Sequence, residues 1–261
     1  MRLGNYFYAE LIKEKREKHL FLSVICAAII LFVYISDLDR ISKQGGIVDL
    51  YFNNVLIHFF VTLIFVAMYA IVIIYDEFKN NTIEQLSVIP ISQGEFVLAK
   101  FIFVVIFSIA SMMMITALST VLMAITGYVI NLGDILVLVM LNVADGILLA
   151  LVAFPIMLIS MLCRSQILIA IVINAVYIFS FFMINSLPFG QDVTEKIAAY
   201  CHPLGNYALI HNWLIYKNIS TEISMLLQPK QSFWLALIGI GVYVLISYQG
   251  IKAVLKNNRG R

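Results

Sequence analysis

The sequence predicts an all-α membrane protein with six transmembrane helices, and three observations predict it. The 261 residues are 62% hydrophobic and only 12% charged, with a mean hydropathy of +0.97. A water-facing domain carries about 25% charged residues, so charges this sparse leave much of the surface to lipid. Six long apolar runs alternate with polar stretches, each run near or above the ~17 residues that cross about 30 Å of hydrocarbon. The lysines and arginines are also unevenly divided among the polar stretches, as a multi-span topology requires. The net charge of +2 is too small to indicate a nucleic-acid partner.

Residues 1–19 precede the first run. Leu3, Phe7 and Leu11 repeat every four residues, with Tyr6 and Tyr8 beside them, and Lys13 to Lys18 follow as a charged cluster. Apolar residues on one side and basic residues near the bilayer suit a helix lying at the interface. A solvated helix end whose charges only fix topology is the alternative. Many charges precede the first run and no small-residue cleavage site follows it, so it is expected to stay as a span.

Residues 20–261 are expected to form one six-span domain. Its spans fall at residues 20–36, 52–74, 101–125, 135–162, 166–187 and 231–250. The connections carry the breaks: Gly45-Gly46, then Gly127, Asn131 and Gly133, then Cys163-Arg164-Ser165. Residues 75–100 and 188–230 are the two long polar segments, and residues 251–261 form a basic tail.

Six spans put both termini on one side. With that side cytoplasmic, twelve of the seventeen lysines and arginines lie inside. The five outside are Arg40, Lys43, Lys196, Lys217 and Lys230. The positive-inside rule selects this orientation. Residues 75–100 then face the cytoplasm and residues 188–230 face out. The outer segment holds Tyr207, Trp213 and Tyr216, which favour the membrane interface. It is expected to contain a re-entrant or surface helix before the sixth span, or else to be an ordinary loop with aromatic anchors. His202 and His211 within it have no evident partners. The cysteines, Cys26, Cys163 and Cys201, are too scattered for a disulfide framework or a metal site.

Few polar groups interrupt the spans. Asp145 lies well inside the fourth, where an acid costs about 2.5–3.5 kcal/mol, so it should face protein or a wet cavity. Asn142 sits one turn away on the same face, close enough to share a hydrogen-bond network. Asp145 is either part of a substrate or proton path or a structural clamp. The lack of a second acid, histidine or lysine in nearby spans argues for the clamp. Asn174 in the fifth span reads as structural. In the third span Ser108, Ser111, Thr116 and Ser119 suit close helix packing. Pro155 is expected to kink the fourth span.

Chemistry that a motor or enzyme needs is missing. No glycine is followed by lysine, so there is no phosphate-binding loop. Neither H-E-x-x-H nor G-x-S-x-G occurs. The chain is therefore expected to be non-catalytic, with no metal and no cofactor of its own.

Residues 75–100 carry the most information. Phe78, Ile83 and Leu86 form an apolar stripe among Asp76, Glu77, Lys79, Glu84 and Gln85, as on a short amphipathic helix. Pro90 stops that helix. Ser92 and Glu95 have the spacing of a capping box that opens a new helix through Lys100. Glu77, Thr82-Ile83-Glu84, Leu86, Pro90-Ile91-Ser92 and Lys100 resemble the connection between the second and third spans of ABC-2 type permeases. Six spans, an N-terminal interfacial helix and a long last external segment extend the resemblance along the chain. Asn81 stands where that family often has glycine.

The resemblance implies a permease in a bacterial cell membrane that pairs with a second copy or a paralogue. It implies a separate ABC ATPase subunit that holds the ATP and magnesium. Glu77, Thr82, Glu84, Leu86, Pro90 and Lys100 would then lie at or near the ATPase contact, with residues 1–19 as the connecting helix. A cavity lined by Phe, Tyr, Met and Leu would suit amphipathic or hydrophobic cargo such as peptides, antimicrobials or drugs. The alternatives are an ATPase-independent secondary transporter or channel, and a membrane-embedded enzyme.

Overall fold

Hydrocarbon offers no partner to a backbone N–H or C=O, so a chain this apolar satisfies them within helices. A computed structural model describes residues 4, 7–9, 11–13, 21–37, 51, 55–80, 92–127, 131–164, 166–185, 200–218 and 233–259, and among them there is no strand. The helices are α1 (Phe21–Asp37), α2 (Val55–Lys79), α3 (Gln93–Thr126), α4 (Leu132–Cys163), α5 (Ile167–Asn185), α6 (Pro203–Asn218) and α7 (Phe233–Arg259). Residues 7–9 and 11–13 are helical as well.

Four helices have stretches long and apolar enough to cross a membrane: Ile57–Lys79, Gln93–Thr126, Leu132–Cys163 and Phe233–Asn257. Phe21–Ile35 and Ile167–Ser180 are shorter apolar helices. Large apolar side chains point outward, among them Phe32, Met140, Leu168 and Val176. On a water-soluble protein so much exposed apolar surface is a liability; on a multi-pass membrane protein it meets lipid.

The helix ends follow from local chemistry. Ser92 Oγ accepts from the Glu95 N–H at 3.2 Å, and the Glu95 carboxylate accepts from the Ser92 N–H at 2.9 Å. The expected capping box is thus present and α3 starts one residue after it. Gly127, with φ +78°, ends α3 by donating its N–H to the Met123 carbonyl. Asn131 caps α4 by accepting from the Gly133 N–H at 3.1 Å. α4 runs unbroken past Pro155 to Arg164, whose φ of +51° turns the chain toward α5.

α3 has 34 residues, about 50 Å at 1.5 Å per residue, more than a bilayer core of about 30 Å requires. α2 continues past residue 74 to Lys79, and α7 continues through the basic tail to Arg259. α2 thus gains more than one turn of polar helix and α7 more than two, because nothing in those residues breaks a helix.

α4 is the hub. It packs against α2, α3, α5, α6 and α7, with its most extensive contact on α3. Gly146 makes that closeness possible: a Cβ there would lie 2.9 Å from the Ile109 Cα of α3. Ser108, Ser111, Thr116 and Ser119 of α3 are buried. Ser111 and Thr116 donate to the carbonyls of Phe107 and Met112 one turn back, so their hydroxyls enter the packing already satisfied. α6 lies against α4, α5 and α7, and residues 203–211 are buried without exception. It is held inside the helix packing, not laid on its outer surface.

Candidate functional site

One polar junction lies at the near ends of α2 and α3. Glu77, in the last turn of α2, puts Oε1 2.5 Å from Lys100 Nζ on α3 and 2.5 Å from Lys13 Nζ in the N-terminal segment. Glu77 and Lys100 are fully buried, and Lys13 is 19% exposed at its side chain. The Lys100 ammonium also stands 5.8 Å from the centre of the Phe96 ring. Above the junction, Phe7 stacks on Phe103 with ring centres 5.0 Å apart. Among the described residues, the Phe7–Phe103 ring pair and the Lys13–Glu77 ion pair fasten the N-terminal segment to the core. Of the expected stripe, Phe7 faces inward while Leu11 is exposed.

Two of the residues singled out in residues 75–100 thus meet directly, Glu77 and Lys100. Thr82, Glu84, Leu86 and Pro90 lie outside the described residues. Lys13 had no signal beyond membership of a charged cluster.

A second polar cluster lies deeper. Asp145 is fully buried on α4. Its Oδ1 is 2.8 Å from Nδ1 of His211 on α6, and its Oδ2 is 3.4 Å from the Tyr51 hydroxyl. His58 of α2 meets Tyr51 edge to face at 5.1 Å. Tyr34 of α1 meets His58 at 6.5 Å. Tyr207 stacks near His211 at 5.9 Å, one turn back along α6.

This corrects the expectation that Asp145 has no titratable neighbour, since His211 touches it and His58 stands close by. It also corrects the reading of His202 and His211 as partnerless. His58 was legible as a histidine inside an apolar run, and Tyr207 with His211 as a pair at helical spacing.

Asn142 and Asp145 share a face of α4 but take different partners. The Asn142 amide donates to the Thr116 hydroxyl of α3. Asn174 of α5 donates to Ser160 Oγ of α4 at 3.4 Å. Ser160 uses its own proton on the Ile156 carbonyl, so Asn174 must present its NH₂ to Ser160, which leaves its Oδ1 unpaired. That residue borders a cavity of about 240 Å³ between α2 and α5, lined by Phe60, Ile64, Met68, Ile171 and Phe179.

His202 caps the start of α6. It precedes Pro203, the first residue of α6, and accepts the Leu204 N–H on Nδ1 at 3.2 Å. This is an N-cap with proline at the first helical position. An accepting Nδ1 leaves the ring proton on Nε2, 3.2 Å from Ser180 Oγ. Burial lowers the His202 pKa, which agrees with a neutral ring. Among the described residues no group of histidines, cysteines and acids has the makings of a metal site.

Comparison with protein families finds a match. The model described as "ABC-2 family transporter protein" covers residues 6–181, from the N-terminal segment through most of α5. Neither the curated proteins nor the solved structures give a match.

Proposed function

This chain belongs to the ABC-2 transporter family, and from that premise we propose that it is the permease subunit of an ATP-driven exporter. Members of this family are in general non-catalytic membrane subunits that pair with an ABC ATPase. The ATP and magnesium would sit on that partner. Two permease copies, or this chain and a paralogue, would form the path through a bacterial cell membrane. All six apolar helices would cross it, with both termini in the cytoplasm.

The observation that carries the coupling is the Glu77 junction. It joins three parts of the chain, the N-terminal segment, the end of α2 and the start of α3. Residues 81–91, which hold the resemblance to the ATPase-contact segment, run between the last two. A push on that segment would reach α2 and α3 through the helices themselves and the N-terminal segment through Lys13. α3 would then pass the movement to α4, its most extensive neighbour.

The cargo would be amphipathic or hydrophobic: a peptide, an antimicrobial or a drug. The α2–α5 cavity supports this, because Phe60, Ile64, Met68 and Phe179 offer an apolar wall. An apolar site with few polar fixing points is the usual form of a small-molecule pocket.

Co-purification tests the coupling. Glu84→Lys should release the ATPase subunit while the permease still inserts in the membrane. ATPase binding and transport that survive this charge reversal would sink the assignment. Cysteines placed at Ser92 and Lys217 test the topology, since they should label from opposite faces.

A further inference from the structure

Asp145 and His211 sit where five parts of the chain converge. Around their 2.8 Å contact stand Tyr51, Tyr34 of α1, His58 of α2 and Tyr207 of α6. The Tyr34 and Tyr207 hydroxyls, both ring nitrogens of His58 and Nε2 of His211 are buried with no hydrogen-bond partner. Each such group is costly if left unsatisfied. So many in one place mark a site that takes a polar guest.

The packing limits the size of that guest. Phe59 lies edge-on to His211 with ring centres 4.0 Å apart, and Phe59 stacks on His58 at 5.5 Å. Rings this close leave no space for a large guest.

Charge identifies the proton as the guest that matters. Asp145 as a carboxylate with His211 neutral leaves a net charge of −1 in a low-dielectric interior, where an uncompensated charge is expensive. One added proton, on either partner, brings the pair to zero and keeps the hydrogen bond between them. The proton comes from water and returns to water, and only an N–H or O–H bond is made or broken.

We infer that Asp145 and His211 form a proton-binding site inside the helix packing, and that the bound proton latches α6 onto α4. Loss of the proton leaves the charge, and the charge is relieved by admitting water between the two helices. Several other polar or titratable groups on neighbouring elements are engaged elsewhere. Thr116 of α3 is engaged by Asn142. Tyr177 of α5 donates to the Val152 carbonyl, and Tyr243 of α7 to the Cys201 carbonyl. His202, at the start of α6, titrates with the opposite sign, because protonating it breaks the contact with Leu204.

The test uses the full-length permease in lipid nanodiscs. Cys26→Ala, Cys163→Ala and Cys201→Ser remove the native thiols, and Ala208→Cys places a reporter on a buried position of α6. Its labelling rate is normalised at each pH to that of the denatured protein, from about pH 6 to about pH 9. A single linked proton should raise labelling by up to about tenfold per pH unit. Asp145→Asn keeps an acceptor for His211 without the charge, so its labelling should stay low and flat. Flat labelling without the Asp145 substitution would overturn the inference and make the pair a plain structural clamp. A slope that persists in Asp145→Asn would overturn it too. Because the reporter needs no ATPase and no cargo, failure here leaves the exporter reading standing, and the reverse.

Discussion

The Lys100 ammonium lies 2.5 Å from the Glu77 carboxylate, both side chains wholly out of contact with solvent. They are 23 residues apart in sequence and belong to the two helices that flank residues 81–91. A buried ion pair adds little stability over an apolar pair of the same size, but breaking one partner away leaves a stranded charge. Glu77 is the centre of this junction because two cations share its one oxygen.

Glu77→Gln should therefore cost about 3–5 kcal/mol, since it removes the buried carboxylate that Lys100 and Lys13 share. Lys13→Ala should cost about 1 kcal/mol or less, because Lys13 is partly solvated. Denaturant unfolding in detergent measures both. Equal losses would mean that the N-terminal segment is fastened by the ion pair as firmly as α3 is.

Gly146→Ala should destabilise by roughly 1–3 kcal/mol, the range for overpacking. The added Cβ would meet the backbone of Ile109 at 2.9 Å, and a backbone atom inside a helix cannot step aside. Gly241→Ala is the control, because that glycine has open space around it. There the better helix propensity of alanine should stabilise by up to about 1 kcal/mol. The same unfolding assay compares them.

Helix positions were legible because apolar runs and caps are local properties. Ser92 with Glu95 announced the start of α3, and Gly127 its end. The extension of α7 through residues 251–259 was less legible, because polar residues there mark the edge of the apolar run without breaking the helix. Contacts between distant segments were not legible at all. Nothing in the neighbourhood of Lys13 distinguishes it from Lys15 or Lys18 as the partner of Glu77. Asp145 stood out as an acid in an apolar run, but its partner His211 lies 66 residues on in the segment expected to hold a re-entrant or surface helix. Only the insertion of α6 brings them together.

Ser92→Ala should remove about 1 kcal/mol from the start of α3, and Ser92→Asp should restore most of it. The capping box is exposed, so little packing is lost with the hydroxyl. Fraying of residues 93–95 is the expected consequence, read as faster amide hydrogen exchange there. Unchanged exchange in Ser92→Ala would show that the contacts of Phe96 and Val97 alone define this end.

His202 predicts a loosening of α6 on acidification. Burial lowers its pKa below the usual histidine value of about 6.5. The unfolded chain then binds the proton more readily than the folded one. The contribution of His202 to stability is therefore complete above about pH 6.5 and is lost as pH falls through the depressed folded value. In structural terms the added proton takes the Nδ1 lone pair that accepts the Leu204 N–H. Amide exchange at Leu204 and Gly205, corrected for the intrinsic pH effect, should quicken as pH drops. His202→Asn keeps a capping oxygen and has no proton to gain, so the acid response should vanish while the helix start holds. An acid response that survives His202→Asn would place its origin elsewhere in the fold.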